Sequence, residues 1–539
     1  MLALASSARA RAARTLSRAA SSVPRVQSLL DGKLFDSAAT TTFPVIDAAT
    51  GAVIAATPQS TASELEAAAA SSARAFPAWR ATPPAVRARV NLRLQAAVRD
   101  GTEALAALIT RENGKTLADA RGDVFRGLEI VEWAAGAPAL ALGDCAPGVG
   151  PAMDIVTQRA PLGVAAGIFA FNFPAMLPLW SFPLATALGN TFLLKPSERA
   201  PGAGLRLAAL ACEAGLPPGA LNVVHGGPDT VNFLCDAPAV RAVSFVGSNA
   251  GGEHVHARAT AAGKRAQCNM GAKNIGVVMP DADSARACAA LTGAAFGAAG
   301  QRCMALPVVV LVGAARAHAP ALAAAAARLR VGPGAAADSD VGPMISRAAL
   351  ERARDIIAQA EAAGARVLLD GRRVAAPAGC AGGFWLGPTI LHLGDAAAAE
   401  ASPAYKEEIF GPVQCLVEVD SLDEAIALVN RNAWGNGGAI FTASGAAAHA
   451  FVNGTEIGQV GVNGAFSRAR REAPRARPRL RPLTTPAPPR AARPSLHRKC
   501  PSRCRCPSPP SRATSAASSA STTSTARAAW ASTPRRARL

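Results

Sequence analysis

Between residues 163 and 263 short apolar runs alternate with helical patterns, and this rhythm constrains the fold more than any other feature of the chain. GVAAGIFAF (163–171), TFLLKP (191–196), LNVVHG (221–226) and VSFVGS (243–248) are separated by the helical stretches GLRLAALACEAG and DTVNFLCDA, and AGGEHVHARATAAG follows the last of them. The runs are apolar on both faces, as in a strand covered by helices above and below. A strand that reaches its neighbour through a helix lies parallel to it, so the pattern predicts an α/β fold with a parallel sheet and crossovers. A second α/β region runs from NIGVVMP (274–280) through PVVVLVG (307–313), ALERARDIIAQAEAAGA (349–365) and DEAIALVN (423–430) to GGAIFTAS (437–444). Two domains are expected, 26–273 and 274–463. Ahead of the first sheet, LLDGKLFDS and FPVIDAATGAVIAATP read as short strands with Gly-containing turns, and residues 61–137 carry helical spacing. AMDIVTQRAPL (152–162) alternates like an exposed hairpin suited to pairing outside its own domain.

The formal charge of +19 points to a polyanion partner only if it lies on the folded body. It lies at the ends. Arg9, Arg11, Arg14, Arg18 and Arg25 face no acid in the first 30 residues, and residues 468–539 hold seventeen Arg and one Lys against Glu472 alone. Residues 31–467 are therefore slightly acidic, and no nucleic-acid partner is expected there. No apolar run of about 18 residues is uninterrupted, so no membrane-spanning helix is expected. The acid-free, Arg-, Ser- and Ala-rich residues 1–25 have the pattern of an organelle transit peptide, mitochondrial or plastid. Cys145, Cys212, Cys235, Cys268, Cys288, Cys303, Cys380 and Cys415 lack framework spacing, as in a reduced compartment.

FGAAGQRCMA (296–305) sets Cys303 among small residues, whose backbone N–H groups can approach a bound carbonyl closely. Arg302 places a positive charge beside the sulfur, favouring thiolate and suited to an anionic substrate. QCNMGAKN (267–274) carries Asn269. Together with FNFPAMLPLW (171–180), LLKPSER (193–199), SFVGSN (244–249) and YKEEIFGPV (405–413), these blocks resemble, in order, the aldehyde dehydrogenase superfamily. Within it they are most similar to the CoA-acylating branch that oxidises methylmalonate semialdehyde. The resemblance covers residues 26–463.

It implies a Rossmann-type NAD-binding domain (26–273), a catalytic domain (274–463) and an oligomerisation hairpin near 152–162. It implies Cys303 as nucleophile, with the Asn172 amide and the Cys303 N–H holding the oxyanion. For NAD it implies Phe169, Phe171, Lys195, Glu198, Arg199, Gly247, Ser248, Gly252, Glu408 and Phe410, Gly247 and Gly252 forming a looser turn than G-x-G-x-x-G. For a substrate carboxylate it implies Arg126 and Arg302. Hydrolytic relatives carry a glutamate base where Asn269 stands; an amide cannot take a proton, so CoA thiol is expected in place of water. The implied products are acetyl-CoA or propionyl-CoA, carbon dioxide and NADH, in the mitochondrial matrix, from a homotetramer, with no metal. A hydrolytic aldehyde dehydrogenase remains the alternative, as does a non-catalytic chain with a polyanion-binding tail.

Beyond Asn463 the sequence loses both helical and strand periodicity and becomes low in complexity. STARAAWASTP (524–534) equals FYGKGGVGFYTQ, a family-like segment, when GC-rich codons for it are read one base out. Residues 464–539 are therefore expected to be a disordered basic tail from an unremoved intron followed by a shifted frame, or from a sequence error. Without the family's usual segment, assembly is expected to suffer. His497, Cys500, Cys504 and Cys506 fit no standard zinc spacing.

Overall fold

The computed structural model describes residues 23–464. Nearly all of the expected transit peptide, and the tail from 465 onward, lie outside the described residues.

Each of the two α/β regions builds a seven-stranded sheet. In the first, the order across the sheet is Arg265–Asn269, Val240–Val246, Val164–Phe169, Thr191–Lys195, Leu221–Val223, Ser28–Leu30 and Lys33–Phe35. The first five strands are parallel, as the crossover helices require. The last two form an antiparallel hairpin whose Asp31-Gly32 turn has φ of 49° and 75°, the paired positive values that a two-residue I′ turn demands. The chain leaves Val164–Phe169 toward one edge and returns on its other side through Val240–Val246. Strand order therefore reverses between these two, and a crevice opens at their carboxyl ends. Register aligns Val246 with Phe169 and with Asn269 at that end.

The second sheet runs Arg366–Leu369, Thr389–Asp395, Val413–Val419, Val308–Val312, Ile275–Val278, Gly437–Phe441 and Gln459–Val462. Only Arg366–Leu369 is antiparallel. Val308–Val312 is fully buried, which explains why its sequence shows no alternation. Four of these strands escaped the sequence reading, because TILHLGD and VQCLVEV mix polar and apolar residues without a clear period.

Residues 61–137 form helices Ala62–Ala81, Pro84–Asp100, Thr102–Asn113 and Leu117–Ala135, the first started by a Thr61–Glu64 capping box. Leu117–Ala135 lies against Met176–Ala187, and the approach is close: a Cβ on Gly127 would sit 2.6 Å from Leu179. The exposed hairpin begins earlier than expected, pairing Cys145–Gly150 with Met153–Val156. Pro147 and two glycines hide its first strand from a propensity reading, and residues 157–162 take no strand conformation. No described helix is long and apolar enough to cross a membrane.

Candidate active site

The loop that carries Cys303 follows the helix Ser284–Phe296 and turns through left-handed backbone at Ala298 (φ 50°), Ala299 (φ 53°) and Gly300 (φ 70°). Left-handed conformation costs an alanine roughly 1–2 kcal/mol, so two in succession need external support. Asp119 and Gln301 supply it. The Asp119 carboxylate accepts the Ala298 N–H at 2.9 Å and pairs with the Arg302 guanidinium, both side chains being almost fully buried. Gln301 donates to the carbonyls of Ala298 (3.3 Å) and Pro343 (3.4 Å) and accepts the Ile345 N–H at 2.9 Å. Gly300 is required sterically, since a Cβ there would lie 2.1 Å from the Gly411 carbonyl oxygen.

Cys303 lines a small cavity with Asn274, Arg302, Glu408 and Phe410. Burial pushes its thiol above the ordinary range, the Glu408 carboxylate pushes in the same direction, and the backbone N–H groups of Cys303 and Met304 oppose both. Arg302, expected to favour the thiolate, is paired with the Asp119 carboxylate.

Asn172 is buried, and its Nδ2 donates to the Gln301 carbonyl at 3.1 Å, tying the FNFP turn to the nucleophile loop. The Asn172 carbonyl accepts from Lys115 Nζ. Lys115 forms a fully buried ion pair with Asp123 at 3.2 Å and sits 4.4 Å from the Phe173 ring centre. Asp123 in turn accepts the Met176 N–H at 2.8 Å at the start of the next helix, while burial pushes its carboxyl upward. The Phe171 carbonyl is held by Asn113 at 2.9 Å, and the Phe171 ring meets that of Phe410 edge-on at 6.1 Å.

Around the crevice of the first sheet, Phe169 ends its strand and Gly247 follows Val246, donating to the Asn269 carbonyl at 3.1 Å. Ser248 caps the helix Asn249–Ala261, its hydroxyl accepting the Gly251 N–H at 3.3 Å, so the helix start lies beside the crevice, where an anion is stabilised. A Cβ would lie 2.5 Å from the Phe245 ring at Gly247 and 2.3 Å from the Met270 side chain at Gly252, so a side chain at either position would need a neighbour to shift. Lys195 ends the adjacent strand, buried and depressed by burial, and reaches Glu198 at 3.4 Å. Arg199 donates to the Ser346 hydroxyl at 3.3 Å. Glu408 accepts the Ala272 N–H at 3.0 Å and is raised by burial, and Phe410 adopts φ 54°. Asn269 ends its strand with an exposed side chain.

The two arginines expected to share one carboxylate hold different ones. Arg126 lies 56% exposed on its helix and pairs with Glu129 at 2.8 Å, while Arg302 is buried against Asp119. Lys115, Asp119, Asp123, Asn274, Gln301 and Asn436 were not singled out by the sequence; all six brace the residues that were.

Residues 35–475 match the aldehyde dehydrogenase family. The chain is 50% identical over 440 residues, 82% of its length and 72% of the relative's, to the Arabidopsis thaliana mitochondrial methylmalonate-semialdehyde dehydrogenase [acylating]. A solved Oceanimonas doudoroffii methylmalonate-semialdehyde dehydrogenase is similar with a TM-score of 0.79 and 41% identity, over 82% of this chain and 90% of that one. A Sinorhizobium meliloti structure complexed with NAD is similar with a TM-score of 0.80 and 39% identity, over 83% and 90% of the two chains. The chain belongs to the aldehyde dehydrogenase family and is an enzyme of it.

Proposed function

We propose that this chain oxidises malonate or methylmalonate semialdehyde with NAD and CoA, giving acetyl-CoA or propionyl-CoA and carbon dioxide. The reading is carried by a braced, cavity-lining Cys303 and, at the sequence position where hydrolytic relatives carry their base, by an amide, Asn269.

In this reading the Cys303 thiolate attacks the aldehyde carbon, forming a carbon–sulfur bond and an oxyanion. The Cys303 N–H and the second N–H of the Asn172 amide stabilise that oxyanion, the first amide N–H being held by Gln301. A bound nicotinamide would accept the hydride as the carbonyl re-forms, leaving an acyl thioester on Cys303. Crevice geometry supports the cofactor: the glycine turn at Gly247 and Gly252 and the helix start at Ser248 suit a pyrophosphate, and Lys195, Glu198 and Arg199, at and after the end of the adjacent strand, are assigned to the adenine-ribose hydroxyls. Glu408 and Phe410, beside Cys303, and the backbone at Phe169 and Phe171 would position the nicotinamide ribose. Arg302 and Arg126 are assigned to the substrate carboxylate, which requires Arg126 to exchange Glu129 for substrate. Loss of that carboxylate as carbon dioxide leaves its electron pair in the thioester enolate, which takes up a proton at carbon; CoA sulfur then attacks the thioester carbonyl and Cys303 leaves as thiolate. Water lacks a base at position 269, whereas a thiol is far more ionised near neutral pH.

The same reading places the enzyme in the mitochondrial matrix, supported by the basic leader and by a relative described as mitochondrial. Homo-oligomer assembly, a tetramer by resemblance, is supported by exposed Val149, Met153, Ile155 and Val156 on the hairpin and is weakened by the altered sequence after Asn463. NADH formation from methylmalonate semialdehyde, followed with and without CoA, tests the reading. Turnover is expected to need CoA and to yield propionyl-CoA; equal turnover without CoA, releasing free acid, would overturn it.

A further inference from the structure

Two side-chain amides converge on the carbonyl of the nucleophile itself. Asn274 donates to the Cys303 carbonyl at 2.9 Å and to that of Ala305 at 2.7 Å; Asn436 donates to the same Cys303 carbonyl at 3.1 Å. They immediately precede neighbouring parallel strands of the second sheet, Ile275–Val278 and Gly437–Phe441, whose register pairs Ile275 with Gly438. The sheet therefore fixes the separation of the two donors. Asn274 is 2% exposed and directs its amino group at two carbonyls, leaving its own Oδ1 buried without a partner. An unsatisfied buried acceptor is costly, and the fold sustains that cost while keeping both donors in place.

In a trans peptide the carbonyl and the following N–H point in opposite directions from one rigid plane. Here that following N–H belongs to Met304, so the grip on the Cys303 carbonyl also fixes the direction of the Met304 N–H. We propose that Asn274 and Asn436 are positioning residues for the nucleophile: by gripping the Cys303 carbonyl from two strands they fix the orientation of the Cys303–Met304 peptide, and with it the Met304 N–H. Their donation also polarises that peptide, which strengthens its N–H as a donor. The inference rests on Cys303 being the nucleophile. The charged groups around the sulfur are Glu408, which opposes thiolate formation, and Arg302, which is compensated by Asp119. Lys273 and Arg352 act on Glu408. The asparagines bring no charge, so their effect passes through the peptide.

The test is the pH profile of iodoacetamide alkylation at Cys303 in the full chain, read by peptide mass mapping, for wild type, Asn436→Leu and Asn274→Ser. Asn436 is only half-buried, so Asn436→Leu is expected to melt with wild type and decides the matter if Asn274→Ser does not fold. The alkylation midpoint is expected to rise by about half to one pH unit, which slows the reaction near neutrality about three- to tenfold. Turnover kcat is expected to fall comparably, with KM for the semialdehyde little changed. An unchanged midpoint in folded Asn436→Leu overturns the positioning role. Full turnover after complete alkylation of Cys303 in wild type overturns instead the nucleophile reading beneath it.

Discussion

Replacing Asp119 with alanine removes the partner of a guanidinium that is 6% exposed, and it strips the acceptor from the Ala298 N–H. Breaking one side of a buried ion pair costs about 3–5 kcal/mol, because the remaining charge stays desolvated. The orphaned N–H belongs to the same site, so the two effects overlap and about 3–5 kcal/mol is the expected total. Against a typical stability of about 5–15 kcal/mol, such a loss is large. Asp119→Asn offers the finer experiment: an amide oxygen still accepts from Ala298, while the carboxylate charge that faces Arg302 is removed. Since two left-handed alanines and the Gln301–Asn172 link depend on this corner, the nucleophile loop is expected to lose its fixed geometry before the protein unfolds. Thermal melting gives the stability, and NADH formation with saturating NAD and CoA gives kcat. Asp119→Asn is expected to lower kcat by at least tenfold while melting above Asp119→Ala. Should Asp119→Ala lose less than about 1 kcal/mol and retain wild-type kcat, the bracing argument is wrong.

Three further outcomes follow from the geometry. Asn172→Ala removes a side-chain donor to the oxyanion and is expected to lower kcat about a hundredfold or more, with the fold retained by melting. Asn269→Glu supplies the missing base and is expected to create CoA-independent release of free acid, measured by NADH formation without CoA. Glu112 is buried at the Gly202 N–H and its carboxyl is pushed up to about 7 by burial. A folded-state value above the unfolded one means the folded chain holds the proton more tightly, so this group's contribution to stability is intact below about pH 4.5 and is lost as pH rises toward 7. Glu112→Gln is expected to be more stable than wild type at pH 8, by up to about 3 kcal/mol, and equal to it near pH 4; equal melting at both would refute the assignment.

Four parallel strands of the first sheet and three of the second were legible because both-face burial writes itself as unbroken apolar runs, while the crevice came only with the strand order. The braces were not. In TLADARGDVFRGLEI, Asp119 and Asp123 fall on the buried face with Ala120, Val124 and Leu128, while Phe125 and Arg126 face outward. Amphipathic reading assigns acids to solvent and Phe to the core, and here both assignments invert. Thr116 and Asp119 also look like an ordinary helix start, since the Thr116 hydroxyl caps the Asp119 N–H at 3.2 Å, so nothing local signals the contact with Arg302 across 183 residues. Asn274 and Asn436 stand beside strands that the sequence did predict, but only strand order makes them neighbours.

The central claim is that an acyl group resides on Cys303 and leaves on another thiol. Mixing the enzyme with NAD and methylmalonate semialdehyde in the absence of CoA, quenching in acid and mapping peptides by mass tests it directly. An acyl adduct on Cys303 that disappears on adding CoA, with acyl-CoA formed in equal amount, is the expected result. Steady turnover with no adduct on Cys303, or an adduct that water clears as fast as CoA does, would contradict it.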